Sequence, residues 1–287
     1  MSKATVFIPE MLHPETSTKI REFAEVITDR DGPLEAEYAI VRNYHVDQAL
    51  LARMPNLRAV IKHGAGLDRI NTHLLETQGI KWFHTPGINA NGVAELAITQ
   101  ALRLLRHPDL DRGPALPREF SGRKIAILGM GRIGGLVATM AIQGFNASVS
   151  AYDPFATAPN TQVHMWDRID NAVDSAEVLF VTCPLVAETT GLVDRTILEA
   201  LADRAVVVNT SRAPIVDNQA MIKALERGKI HGYAHDFQGE PDSLENAPEN
   251  GLLLSTTHIG GATEESLKRT GEAVVHILQT TMEEAEA

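Results

Sequence analysis

The chain has 287 residues, 44% hydrophobic and 22% charged, the composition of a globular protein with enough apolar material for about two ordinary domains. A net charge of −11 without a clustered basic run argues against a nucleic-acid partner, because neutralising phosphates needs grouped Lys and Arg. The single cysteine, Cys183, excludes an internal disulfide and a multi-thiolate metal site, and with no signal-like or membrane-length apolar run the cytoplasm is the expected compartment and no membrane partner is expected.

Taken in order, residues 4–8 (ATVFI) read as a buried strand, followed by a helical pattern through Ile20, Phe23, Ala24 and Ile27. YAIVR (38–42) reads as a strand, Val46 to Met54 as a helix, and LRAVIK (57–62) as a strand running into GAGLD at 64–68. IKWFHT is a further short strand; after the PGINANG turn, VAELAITQALRLLR is an apolar-periodic helix ending near His107-Pro108. Residues 107–122 are rich in Pro, Gly and charge and read as a boundary loop.

From Arg123 to Pro154 the sequence reads strand (Lys124 to Leu128), the turn GMGRIG, a helix, and a second strand ending at Asp153. Gly129, Gly131 and Gly134 fall where a dinucleotide fold needs a tight turn, close pyrophosphate approach and helix–strand packing. A helix N-terminus there offers free N–H groups and partial positive charge to a phosphate. Asp153, about 20 residues on, suits a ribose 2′-hydroxyl and would repel a 2′-phosphate, so NAD is favoured over NADP.

Beyond it, VLFVT (178–182), AVVVN (205–209), HGYAH (231–235) and LLLST (252–256) are nearly continuous apolar strands, as in a parallel sheet covered on both faces. Arg195 to Ala202 and Gln219 to Arg227 supply helices between them, and Glu264 to Glu286 is an amphipathic helix with a solvated acidic tail. The fold class is therefore α/β, with two Rossmann-like, doubly wound lobes.

In such sheets ligands gather outside the carboxyl ends of the strands. Thr182-Cys183-Pro184, Asn209-Thr210-Ser211-Arg212, His235-Asp236, His258 and the Gly64-Ala65-Gly66 turn all sit at strand ends. Reducing a carbonyl needs a proton donor and a cation to fix and polarise the substrate, tasks that suit His258 and Arg212, with Glu240 as the carboxylate beside the histidine. His231 and His235 have a helical metal-pair spacing, but their segment reads as a strand, so no metal is expected. No GxSxG elbow occurs, and Cys183 reads as a cleft-wall thiol.

The motifs GAGLDRIN, TPGINANGVAE, LGMGRIGG, AYDP, CPLVAETTGL, VVVNTSRAPIVD, AHDFQGEP and THIGGAT, in this order and over nearly the whole chain, resemble the D-isomer-specific 2-hydroxyacid dehydrogenases. The resemblance implies hydride exchange between NAD and a small D-2-hydroxy acid or 2-oxo acid (glyoxylate, hydroxypyruvate or a phosphoglycerate-like acid). It implies Arg212 on the substrate, His258 as acid–base, Glu240 as its partner, and the Ala65 and Gly66 amides on the carboxylate. Arg132 and Ile133 would meet the pyrophosphate and Asp153 the ribose; Pro184, Thr189, Thr210, Ser211, Asp236 and Gly260 would line the rest, Asp236 reaching the carboxamide.

By the same resemblance a discontinuous substrate domain (1–92 and 263–287) carries an inserted dinucleotide domain (93–262), and a homodimer is expected. Lys62 and Arg42 stand where relatives that take acidic or phosphorylated substrates often carry a basic group. Three departures stand out: Ala213 replaces a glycine, where a positive φ would cost the methyl roughly 1 kcal/mol; Thr257 replaces a proline, freeing φ; and the Asp236–Glu240 span is one residue short. An NAD(H)-responsive, corepressor-like binding protein and a formate- or phosphite-type dehydrogenase are the alternatives on the same fold.

Overall fold

Ala59–Lys62 and Ala205–Asn209 are buried at every residue, and strands of this kind need cover on both faces. The chain supplies it in two units, 1–89 with 261–287 and 90–260, in a computed structural model that describes residues 3–31, 34–107, 116–158, 162–240, 242–246, 248 and 251–286.

The first unit runs β1 (Ala4–Phe7), α1 (Pro14–Phe23), β2 (Ala24–Ile27), β3 (Tyr38–Val41), α2 (Gln48–Ala52), β4 (Ala59–Lys62), α3 (Thr72–Thr77) and β5 (Lys81–His84). Its strands form a parallel sheet in the order β2-β1-β3-β4-β5, reversing direction between β1 and β3. Along β3, Tyr38 and Ile40 join one apolar cluster while Ala39 and Val41 join the other. That period of two explains why the strand reads as an unbroken apolar run.

The second unit begins with α4 (Ala90–Arg106), then β6 (Lys124–Leu128), α5 (Arg132–Phe145), β7 (Ser148–Tyr152), β8 (Val163–Met165) and α6 (Ile169–Val173). It continues through β9 (Val178–Val181), α7 (Arg195–Ala200), β10 (Ala205–Asn209), α8 (Asn218–Glu226), β11 (Ile230–His235) and β12 (Leu252–Ser255). The parallel order is β12-β11-β10-β9-β6-β7-β8, with its reversal between β6 and β9. Counted from β6, this is the strand order of a dinucleotide-binding sheet extended by one strand. Ile125 and Ile127 of β6 pack on one face, against Ala94, Ala97, Ala101 and Leu104 of α4; Ala126 and Leu128 pack on the other. The last helix, α9 (Glu264–Glu286), belongs to the first unit, where Val274, Val275 and Leu278 complete the cluster around Val6 and Ile61. Both lobes are thus the expected α/β, Rossmann-like sheets.

Two local expectations change. The helix predicted through Ile27 ends at Phe23, and Ala24–Ile27 is a strand paired in register with Ala4–Phe7. Its apolar residues fit a helical stripe as well as a sheet edge, and pairing with β1 decides between them. The helix predicted from Val46 starts at Gln48, because Asp47 caps it by accepting a hydrogen bond from the Leu50 amide at 2.9 Å. The short strand β8 has no counterpart in the sequence reading. Residues 108–115 of the predicted boundary loop lie outside the described residues.

Candidate active site

The GMGRIG turn leaves β6 at the second sheet's reversal, beside the Thr182-Cys183-Pro184 segment that leaves β9. Gly129 has φ +96°, and a Cβ there would come within 2.5 Å of the Cys183 amide nitrogen. A Cβ on Gly134 would lie 2.1 Å from the Gly129 carbonyl oxygen, so α5 can press this close to the turn only as glycine. Gly131 is different: nothing lies within 4 Å of its would-be Cβ. That open space is at the N-terminus of the 14-residue helix α5, whose cap has no side-chain hydrogen bond, so its first amides and dipole face outward next to Arg132 and Ile133. A pyrophosphate fits these features.

Asp153 bounds the same turn. Its Oδ2 accepts from the Met130 amide at 2.7 Å, and its Oδ1 accepts from the amides of Phe155 at 2.9 Å and Ala156 at 3.2 Å. The carboxylate therefore ties the dinucleotide turn to the segment after β7. Thr182 fastens the other side, donating its hydroxyl to the Gly129 carbonyl at 2.7 Å. Thr189 donates to the Pro184 carbonyl at 2.7 Å and so closes the loop after β9. Ser211 donates to the Cys183 carbonyl, joining the ends of β9 and β10. The buried Thr210 hydroxyl oxygen has no hydrogen-bond partner among the described residues and is a group a bound cofactor or water can use. Burial, with Asp153 as a lesser cause, pushes the Cys183 thiol up to about 11, so it stays protonated and is no nucleophile at neutral pH.

Three adjacent strands lead to the ionisable residues singled out in the sequence. Arg212 follows β10, Asp236 and Glu240 follow β11, and His258 follows β12, all at the carboxyl edge of one sheet. Neighbouring strands are about 4.8 Å apart, so β10 and β12 lie within roughly 10 Å. The imidazole Nδ1 of His258 lies 2.7 Å from Glu240 Oε1, despite the short Asp236–Glu240 span. A carboxylate there takes the Nδ1 proton as its hydrogen bond and leaves Nε2 to exchange a proton with a ligand.

His258 itself has φ +59°, a left-handed conformation costing roughly 1–2 kcal/mol for a residue with a Cβ. What holds it is Asp236. One oxygen accepts from the Thr256 hydroxyl at 2.5 Å and the Ile259 amide at 2.9 Å, the other from the Gly260 amide at 2.7 Å. Gln100 of α4 braces the same turn, donating to Thr256 Oγ1 at 3.3 Å. Gly260 is held to glycine, since a Cβ would approach Asp236 Oδ2 to 2.9 Å.

Asn209, named in the sequence only as part of a strand end, braces the segment that carries Arg212. Fully buried, it donates from Nδ2 to the Arg212 carbonyl and accepts at Oδ1 from the Ser211 amide, each at 2.9 Å, which fixes the backbone that carries the guanidinium. Ala213 opens a 3-10 turn with Pro214 and is not among the residues of positive φ, so the expected cost of its methyl does not arise.

In the first unit the amides of Ala65 and Gly66 donate to no group among the described residues. Lys62, read from the sequence as a basic group for an acidic substrate, is buried, and its ammonium donates to the Arg42 carbonyl. The buried His63 imidazole is held down to about 4, by desolvation first and by the Arg42 and Lys62 charges after it. An unfolded histidine titrates near 6.5, so the unfolded chain binds the extra proton between those values and stability falls as pH drops from about 6.5 to about 4. The loss from this group is on the order of 3 kcal/mol. Urea unfolding of His63→Gln is expected to show a flatter pH dependence over that window; equal slopes for both proteins would contradict it.

Among the described residues no cluster of His, Cys, Asp or Glu could hold a metal ion, and no helix is long and apolar enough to cross a membrane.

Residues 97–281 match the family described as D-isomer specific 2-hydroxyacid dehydrogenase, NAD binding domain. The glyoxylate/hydroxypyruvate reductase A of Arabidopsis thaliana is 33% identical over 247 residues, covering 81% of this chain and 78% of that protein. The hydroxyphenylpyruvate reductase of Plectranthus scutellarioides is 32% identical over 261 residues, covering 85% and 82%. The crystal structure of D-lactate dehydrogenase from Aquifex aeolicus, complexed with NAD and lactic acid, shares the fold with a TM-score of 0.82 at 22% identity, over 97% of this chain and 95% of that one.

The chain belongs to the D-isomer-specific 2-hydroxyacid dehydrogenase family. It is an NAD-dependent oxidoreductase of 2-hydroxy acids.

Proposed function

We propose that the chain reduces a small 2-oxo acid, with glyoxylate and hydroxypyruvate the first substrates to test, and that NADH is preferred to NADPH. The 2.7 Å pairing of His258 with Glu240, at the same sheet edge as Arg212, carries this reading. NAD, when bound, supplies or takes up the hydride. Arg212 binds the substrate's carboxylate and polarises its carbonyl; its fork of N–H donors suits both oxygens. His258 gives a proton from Nε2 to the carbonyl oxygen as charge develops there, and Glu240 steadies the imidazole. The Ala65 and Gly66 amides add donors for the carboxylate, and Arg42 adds positive charge near them.

For the cofactor we assign Gly129, Gly131, Arg132, Ile133 and Gly134 to the pyrophosphate and Asp153 to the ribose. Pro184, Thr189, Thr210, Ser211, Asp236 and Gly260 line the remainder. A cytoplasmic homodimer is part of the same proposal. The test is a panel of 2-oxo acids, with formate and phosphite as controls in the oxidative direction, run with both coenzymes. Turnover of glyoxylate or hydroxypyruvate supports the proposal; turnover of formate or phosphite alone sinks it.

Coenzyme preference yields a sharper expectation. Because Asp153 also holds the Met130, Phe155 and Ala156 amides, its removal costs the turn as well as the ribose contact. Asp153→Ala should raise KM for NADH about tenfold or more, roughly 1.4 kcal/mol, with no matching gain for NADPH. A clean reversal of preference, NADPH rising as NADH falls, would show that Asp153 acts on the ribose alone.

A further inference from the structure

Glu10 follows β1 by three residues, and residues 42–44 follow β3 directly; these two strands are the neighbours between which the first sheet reverses its order. In open α/β sheets the crevice outside the carboxyl ends at such a reversal is where ligands collect. Here it holds a side chain of the protein. Glu10 Oε2 accepts from the amides of Arg42 at 2.6 Å, Asn43 at 2.8 Å and Tyr44 at 3.0 Å, and Oε1 accepts from Asn43 at 2.7 Å. Three successive amides turned toward one carboxylate form an anion nest, and charge-assisted bonds of this length are strong.

The same turn is tied down through its carbonyls, by the Lys62 ammonium on Arg42 and by Arg69 Nη1 on Asn43 at 3.0 Å. The register of β3 and β4 sets Val41 opposite Lys62, which places Arg42 beside His63, two residues before the Ala65 amide. A substrate whose carboxylate rests on Ala65 and Gly66 would therefore bring its other end toward this nest.

We infer that Glu10 determines the substrate class by filling, with the protein's own carboxylate, the nest that a second acidic group on the substrate would need. The inference rests on the proposed 2-oxo acid reading and narrows it to acids whose far end is neutral or hydroxylated. Arg42 and Lys62 do not make this a phosphate site. The Lys62 ammonium donates to the Arg42 carbonyl, while a phosphate at the nest would displace Glu10 or lie against it, like charge on like charge.

Hydroxypyruvate and its phosphate ester share the reacting group and differ only at the far end, so the ratio of their kcat/KM values isolates this effect. Wild type should favour hydroxypyruvate by about 100-fold or more. Glu10→Ala and Glu10→Gln should each narrow the ratio by about tenfold or more, mainly through KM for the ester; any loss common to both substrates cancels in the ratio. Thermal unfolding with inorganic phosphate gives a second measurement, independent of turnover: Tm should rise with phosphate in Glu10→Ala and stay level in wild type. Equal use of both substrates by wild type, or an unchanged ratio together with no phosphate-dependent Tm rise in the variants, overturns the inference. Failure of every 2-oxo acid would instead count against the proposed reaction, with the phosphate experiment still deciding the role of Glu10.

Discussion

Replacing His258 with asparagine is expected to lower kcat with a 2-oxo acid by about 10²- to 10⁴-fold, the range a positioned general acid contributes. NADH should still bind, because the Gly129–Gly134 turn and Asp153 owe nothing to the imidazole. The geometry also orders the neighbouring variants. Glu240→Gln keeps an oxygen for Nδ1 and should cost less than the loss of His258, and Asp236→Asn should cost activity by releasing the turn that holds His258 at φ +59°. Stopped-flow turnover and NADH fluorescence titration, run on the same preparations, separate chemistry from binding. A His258→Asn protein that turns over at the wild-type rate would remove the assigned acid.

Arg212→Gln should lower kcat/KM by about 10²- to 10³-fold, near 3–4 kcal/mol, as for removal of one preorganised donor to a developing oxyanion. Both kcat and KM should suffer, since the guanidinium is assigned both to the resting carboxylate and to the carbonyl oxygen that gains charge. Arg212→Lys should recover only part of the loss. An ammonium restores the charge but not the planar fork of donors. Full activity in Arg212→Lys would show that charge alone suffices.

How much of this was legible in the sequence depends on whether the deciding interaction is local. The GMGRIG turn is local: its glycines are required by contacts within a strand–turn–helix unit, at Gly129 by a positive φ and the Cys183 backbone, at Gly134 by the Gly129 carbonyl. The long apolar strands and the final helix, Glu264–Glu286, are legible for the same reason, since their periodicity is complete within one segment. The edge strand after the first helix is not. Ala24–Ile27 carries too few positions to separate a helical stripe from an alternating one, and only pairing with β1 makes it a strand.

Side-chain duties across the chain were the least legible. Lys62 looked like a free cation beside a carboxylate-binding turn, whereas its ammonium is held on the Arg42 carbonyl. Glu10 carries no signal in the sequence, because nothing in one dimension shows the amides of residues 42–44 converging on it. Thr257 pointed to freedom before His258. The constraint appears one residue later, in the positive φ of the histidine itself, and its anchor, Asp236, lies more than twenty residues upstream.

The most direct measurement is a titration of NADH with hydroxypyruvate catalysed by the purified chain, following coenzyme consumed and hydroxy acid formed together. Equimolar conversion to the D-hydroxy acid is expected, lost in both His258→Asn and Arg212→Gln. NADH binding without consumption, across hydroxypyruvate, glyoxylate and the rest of the 2-oxo acid panel, would contradict it.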